Sequence, residues 1–155
     1  MKKKPDGLNQ FKNACRRAGL KITPQRMEVF SVLAKALDHP SPETVYRRLL
    51  PRMPTLSLDT VYRTLATLAQ HNLVQKVETV QSQARFEAVQ SPHHHLICRE
   101  CHEICDFPWV SFERVRLPKE ADSWGVVEKK SAVLTGICSK CRSKANGKRR
   151  RVVAR

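Results

Sequence analysis

Four cysteines constrain this chain more than any other feature. Cys98 and Cys101 form one Cys-x-x-Cys knuckle, and Cys138 and Cys141 form a second. Two such knuckles can supply the four thiolates of a tetrahedral structural Zn(II). The 36 residues between them exceed the gap of an ordinary zinc ribbon. Those residues must form a substructure that folds the second knuckle back onto the first. A unit of roughly 60 residues buries little core, so a metal staple is physically useful there. A redox pair or two disulfides are the other uses of the same cysteines. Cys15 lies on an apolar helical stripe and reads as a core residue. Cys105 reads as a strand residue, with thiol chemistry as its alternative.

Charge points to a polyanion. The chain carries a formal +15. Residues 1–80 hold 14 Lys/Arg against 6 Asp/Glu, residues 81–139 hold 7 against 8, and residues 140–155 hold 8 and no acids. The two ends are basic and the middle is neutral, the footprint of a nucleic-acid binder. No apolar run is long enough to span a membrane. Met1-Lys2-Lys3-Lys4-Pro5 has no apolar stretch behind it, so a cytoplasmic protein is expected.

The first half is helical by its punctuation. Leu8, Phe11 and Cys15 keep helical spacing over residues 8–18. Thr23-Pro24 and Ser41-Pro42-Glu43 each place a hydroxyl N-cap before a proline at the first helical position. Met27, Phe30, Leu33 and Leu37 give the second helix its stripe; Val45, Leu49 and Leu50 serve the third. Ser57 opens a fourth, with Leu58, Val61, Leu65 and Leu68 on its apolar face and Asn72 at its left-handed end. Strand-like runs at 73–80 and 84–89, joined by Gln81-Ser82-Gln83, complete a winged-helix pattern. Ser91-Pro92 marks a boundary. Beyond it, residues 93–107 and 125–137 read as extended and 109–117 as helical. The expected fold is α+β: a winged-helix domain over 1–90, a small α+β domain with a four-cysteine zinc site over 91–145, and a basic disordered tail over 146–155.

A second donor set precedes the first knuckle. In an extended His93-His94-His95 run, His93 and His95 share one face and His94 takes the other. Glu87 and Asp106 lie close by in sequence. Imidazole and carboxylate together suit Fe(II), Mn(II) or Zn(II). A solvated histidine cluster is the alternative. His71 and His102 follow no pattern and read as structural or surface residues.

In order along the chain, these residues resemble the ferric uptake regulator family. The resemblance rests on Ile22-Thr23-Pro24-Gln25-Arg26, His39-Pro40-Ser41-Pro42-Glu43-Thr44-Val45-Tyr46 and Ser57-Leu58-Asp59-Thr60-Val61-Tyr62-Arg63-Thr64-Leu65. It continues through Arg85-Phe86-Glu87, His93-His94-His95-Leu96-Ile97-Cys98 with Cys101, and Gly136-Ile137-Cys138 with Cys141. It covers roughly residues 10–141.

The resemblance implies a homodimeric, metal-dependent repressor bound to double-stranded DNA at a palindromic operator. It implies a recognition helix carrying Ser57, Thr60, Tyr62, Arg63 and Thr64. It also implies structural Zn(II) on Cys98, Cys101, Cys138 and Cys141, and regulatory Fe(II) or Mn(II) on His39, Glu87, His93, His95 and Asp106. A further metal site of some members does not carry over: Glu113 is present, but Lys130 stands at the late histidine position and Pro92 precedes the histidine run. Asp106 and that gap resemble the peroxide-responsive subtype, whereas Glu87 resembles the iron-responsive one. The rival classes are a zinc hydrolase, which lacks a His-Glu-x-x-His helix here, and a zinc-stapled interaction module, which leaves the recognition-helix motif unexplained.

Overall fold

The computed structural model describes residues 7–77, 79, 84–88 and 92–144. It divides into two compact units, residues 1–90 and 91–155.

The first unit begins with four helices: α1 (Gly7–Arg17), α2 (Pro24–Lys35), α3 (Pro42–Leu49) and α4 (Leu58–Gln70). Their starts follow from local chemistry. Thr23, Ser41 and Ser57 each sit in extended backbone and accept a hydrogen bond from the amide three residues on, at Arg26, Thr44 and Thr60. Pro24 and Pro42 cost nothing there, since a first-turn amide has no helical partner. Asn72 ends the last helix in the left-handed region, at φ 54°. Strands β1 (Val74–Val77) and β2 (Arg85–Ala88) then pair antiparallel, Val74 opposite Ala88 and Val77 opposite Arg85. Helices followed by this hairpin form a winged-helix arrangement. Phe11, Cys15, Val29, Phe30, Leu33, Val45, Leu49, Val61, Leu65 and Leu68 meet in one apolar core. Phe11 and Phe30 stack at 4.0 Å.

The stripe expected on α2 needs correcting. Leu37 is 92% exposed, because the helix stops at Lys35 and Ala36 turns extended. Val29 and Val32 are buried in its place.

The second unit holds β3 (His94–Cys98), β4 (Ile104–Phe107), α5 (Val110–Glu113), α6 (Lys119–Trp124) and β5 (Val133–Gly136). The sheet order is β4-β3-β5, with β4 antiparallel and β5 parallel to β3. The extended run expected over 93–107 is thus a hairpin, turned at the first knuckle, where His102 takes φ 60°. The helix expected over 109–117 shortens to α5. The extended run over 125–137 shortens to β5, and α6 is an element that periodicity missed, since it buries no residue. The loop Gln81-Ser82-Gln83 and the tail from 146 fall outside the described residues. Among the described residues no helix is long and apolar enough to cross a membrane.

Candidate metal centres and nucleic-acid interface

The parallel pairing of β3 and β5 explains how two distant knuckles meet. Cys98 stands opposite Gly136, and both strands run the same way, so both knuckles emerge at one end of the sheet. The Arg99 amide donates to Gly136 O at 2.9 Å, and the Cys138 amide donates to Cys98 Sγ at 3.3 Å. The four Sγ atoms lie within 4.8 Å of one another. Cys101 Sγ and Cys138 Sγ are 3.7 Å apart. Tetrahedral zinc–sulfur bonds of about 2.3 Å place sulfurs about 3.8 Å apart, whereas a disulfide needs about 2.05 Å. No S–S bond joins them, and their spacing fits a tetrahedral metal. Its thiols titrate unequally. Amide hydrogen bonds from Cys138 and Cys101 lower Cys98 to about 6, while the neighbouring thiols Cys101 and Cys138 push Cys141 up to about 12. Four adjacent thiolates need a cation between them.

Each unit also carries nitrogen and oxygen donors of its own. In the first, His39 Nε2 and Glu87 Oε2 are 3.1 Å apart, and both side chains are buried. The pair forms because the Phe86 amide on β2 donates to Pro40 O at 3.1 Å, which draws the α2–α3 connection onto the strand. His39 takes φ 46°, a left-handed backbone uncommon outside glycine and of the kind that clusters at functional sites. In the second unit, His95 stands opposite Asp106 across the β3–β4 ladder, with Nε2 3.5 Å from Oδ1. His93 Nε2 is 4.0 Å from the same oxygen, and the two imidazoles contact edge to face at 4.9 Å. His93, His95 and Asp106 therefore share one face, as strand alternation requires.

His94 points the other way. Its ring is 1% exposed, among Phe107, Trp109 and Phe112. Nδ1 accepts the Ala132 amide at 3.1 Å, which places the proton of the neutral ring on Nε2, 3.1 Å from Glu113 Oε1. Lys130 Nζ donates to Val115 O at 2.7 Å and lies 5.6 Å from the centre of the Phe112 ring. Sequence reasoning gave His94 no partner; its place on the opposite strand face was the available signal.

On α4, Tyr62 and Arg63 are exposed, and Arg63 pairs with Asp59 at 2.9 Å. Ser57 and Thr60 hydroxyls bond each other at 2.8 Å at the helix start. Thr64 departs from the expected contact set: it is buried at 7% and faces the core beside Val61 and Leu65.

The ferric uptake regulator family model matches residues 17–132. The chain belongs to the ferric uptake regulator family. The peroxide-responsive repressor PerR of Staphylococcus epidermidis is 29% identical over 132 residues, covering 84% of this chain and 87% of that protein. The peroxide operon regulator of Bacillus subtilis is 28% identical over 139 residues, covering 90% and 96%. The solved structure of the Helicobacter pylori ferric uptake regulator Fur, described as having three functional metal binding sites, matches with a TM-score of 0.70 at 26% identity, covering 88% of this chain and 91% of that one. This Fur-family chain is a metal-dependent transcriptional regulator, not an enzyme, with the cysteine and the His/Glu/Asp metal sites typical of the family. Fur-family proteins bind DNA as dimers.

Proposed function

We propose that the chain is a homodimeric repressor of a palindromic operator, active when Fe(II) or Mn(II) joins His39, Glu87, His93, His95 and Asp106, and relieved by peroxide in its Fe(II) form. Zn(II) on Cys98, Cys101, Cys138 and Cys141 is structural in this reading. The observation that carries the metal reading is the shared face of His93, His95 and Asp106, matched in the other unit by the buried His39–Glu87 pair. An ion held by donors from both units favours the arrangement in which all five ligate it, and so shifts the population toward the DNA-competent dimer. The dimer reading draws on β5, all four of whose residues are exposed in the single chain, and on apolar Trp124 and Val126 at 77% and 83% exposure. One α4 per half-site, entering adjacent major grooves, suits a two-fold operator. Ser57 and Thr60 at the α4 N-terminus suit phosphate, and Tyr62 and Arg63 suit base edges. The cytoplasm is the compartment such a regulator needs.

Peroxide sensing draws on the curated peroxide-responsive relatives and on Asp106. Fe(II), if held by these five residues, would supply electrons for the reduction of peroxide. His39 and His93 are the ligands expected to be oxidised. Losing either imidazole removes a donor and releases DNA. Iron-responsive control of uptake is the second reading, favoured by Glu87 and by the Helicobacter pylori structure. The test is operator binding with Fe(II) and with Mn(II), each before and after mild peroxide, followed by mass spectrometry. Peroxide sensing gives release with Fe(II) only, and one added oxygen atom on the peptide with His39 or His93. An unmodified, DNA-bound Fe(II) protein replaces it with the iron-uptake reading.

We further count two metal sites per chain rather than three. His94 Nδ1 is engaged by a backbone amide, and Lys130 stands where a third donor is needed. Metal analysis of the Mn(II)-saturated zinc dimer should give one zinc and one manganese per chain; a second manganese would reject the count.

A further inference from the structure

The Tyr62 hydroxyl on α4 donates its hydrogen bond to Glu43 Oε1, in the first turn of α3. The bond leaves the Glu43 carboxyl below the usual carboxylate range and the Tyr62 hydroxyl above its own, the first cause in each case being the other partner. Glu43 is half-buried behind the Ser41 cap, whereas Tyr62 is 45% exposed. A phenol has one proton to donate, and here it is donated to Glu43. What Tyr62 offers beyond the helix is an acceptor lone pair and an apolar ring.

We propose that Glu43 is a positioning residue for operator specificity: by holding the Tyr62 proton, it bars Tyr62 from phosphate and commits it to a base. This rests on the reading above that α4 enters the major groove. A phosphate oxygen is an acceptor and can be contacted by a hydroxyl only if the hydroxyl donates. With its proton engaged, Tyr62 can accept from the exocyclic amine of adenine or cytosine, and its ring can lie on a thymine methyl; both are major-groove, sequence-bearing features. The negative charge of Glu43 behind the hydroxyl further disfavours a phosphate at that point. Arg63 makes an instructive contrast. Its bond to Asp59 joins side chains that are 81% and 68% exposed, and guanidinium has five N–H groups, so Asp59 leaves it donors for DNA.

The test uses the zinc- and Mn(II)-loaded dimer. Its probes are an inverted-repeat duplex that the wild-type protein selects from a randomised pool, and a scrambled duplex of the same composition. The readout is the ratio of the two affinities. Glu43→Ala is expected to lower that ratio about tenfold, the size of one base contact. Glu43→Gln, whose amide oxygen still accepts from the phenol, should keep it within about twofold. In a Tyr62→Ala background, Glu43→Ala should produce no further loss. Circular dichroism melting of each variant controls for folding, and if Glu43→Ala melts early, Glu43→Leu, of similar length and without an acceptor, takes its place and must lower the ratio. If Tyr62→Ala lowers the ratio while Glu43→Ala leaves it unchanged, the positioning role is wrong. If Tyr62→Ala itself has no effect, the placement of α4 on the bases fails instead.

Discussion

In the first unit, fifteen buried apolar residues from α1 to β2 close into one cluster, while in the second only Ile97, Cys98 and Ile104 are buried apolar residues among those described. The first unit holds together by side-chain packing that its own sequence supplies. The second has a three-stranded sheet with β5 exposed along its length, and the buried side chains of β3 include His94 and His95. Polar groups cost free energy to bury unless they are partnered. His94 and His95 are partnered within the unit by the Ala132 amide, Glu113 and Asp106, so the thiols at Cys98 and its three neighbours are the groups left to be held by a metal. If the proposed zinc is structural, its loss should unfold the second unit and spare the packed core of the first.

The largest effect should come from the cysteines. A structural zinc contributes about 10–16 kcal/mol of apparent binding free energy in small zinc domains, and that energy is folding energy. Cys98→Ser or Cys138→Ser should abolish bound zinc, measured by metal analysis, and the dimer, measured by gel filtration, while much of the helical circular dichroism of α1–α4 persists. A zinc-free variant that remains a stable dimer would show that the second unit holds without its metal.

The converse experiment attacks the packed unit. Leu65 is fully buried in the core beneath α4. Leu65→Ala should cost about 2–5 kcal/mol in urea denaturation, with the zinc content unchanged. Zinc loss on that substitution would mean that the halves are not independent.

A smaller effect is expected on the α4 surface. Arg63→Ala should weaken operator binding by about 1–3 kcal/mol if Arg63 makes a bidentate base contact. Its exposed pair with Asp59 is worth at most about 1 kcal/mol, so stability should hardly change. Deleting residues 146–155, which carry basic charge, should lower salt-sensitive affinity for any duplex and leave discrimination intact. The reverse pattern, with discrimination lost by the deletion and kept by Arg63→Ala, would move recognition from α4 to the tail.

The smallest effect is a proton count. Cys141, held at about 12 by its neighbours, keeps its proton at neutral pH without metal and must surrender it to become a thiolate ligand. Loading zinc should therefore release protons, and zinc affinity should fall as pH falls, because protons compete for the same sulfurs. Cys98, lowered to about 6, should release few at neutral pH. Titration of the zinc-stripped, reduced protein in weak buffer measures the release. A proton-neutral uptake would contradict a four-thiolate site.

Much of the first unit was legible because its signals are local. A hydroxyl before a proline, an apolar residue every three or four positions and an asparagine at a helix end each act within one turn, and Thr23, Ser41, Ser57 and Asn72 all do what those rules demand. Leu37 misled because an apolar residue in phase cannot reveal that the helix has already ended. The second unit was less legible for a non-local reason. The parallel alignment of β3 with β5 sets the meeting of the knuckles, and no pattern within either strand encodes it. α6 carries no buried residue and so no periodicity to find. The shared face of His93 and His95 followed from strand alternation, and Glu87 and Asp106 stood close by in sequence, but His39, 48 residues from its partner Glu87, entered only through the family resemblance. Thr64 shows the limit of a motif: the string around Tyr62 and Arg63 marks the helix, and helical phase turns Thr64 inward.

Metal on the histidine and carboxylate donors should control DNA binding, while zinc on the cysteines should only hold the fold. Fluorescence anisotropy of a labelled inverted-repeat duplex, titrated with zinc-loaded wild type and with His93→Ala at rising Mn(II), tests it most directly. Wild type should tighten on the duplex as Mn(II) is added, and His93→Ala should keep its zinc and its dimer but bind weakly at every Mn(II) concentration. A His93→Ala protein whose binding responds to Mn(II) as wild type does would place metal control on other residues.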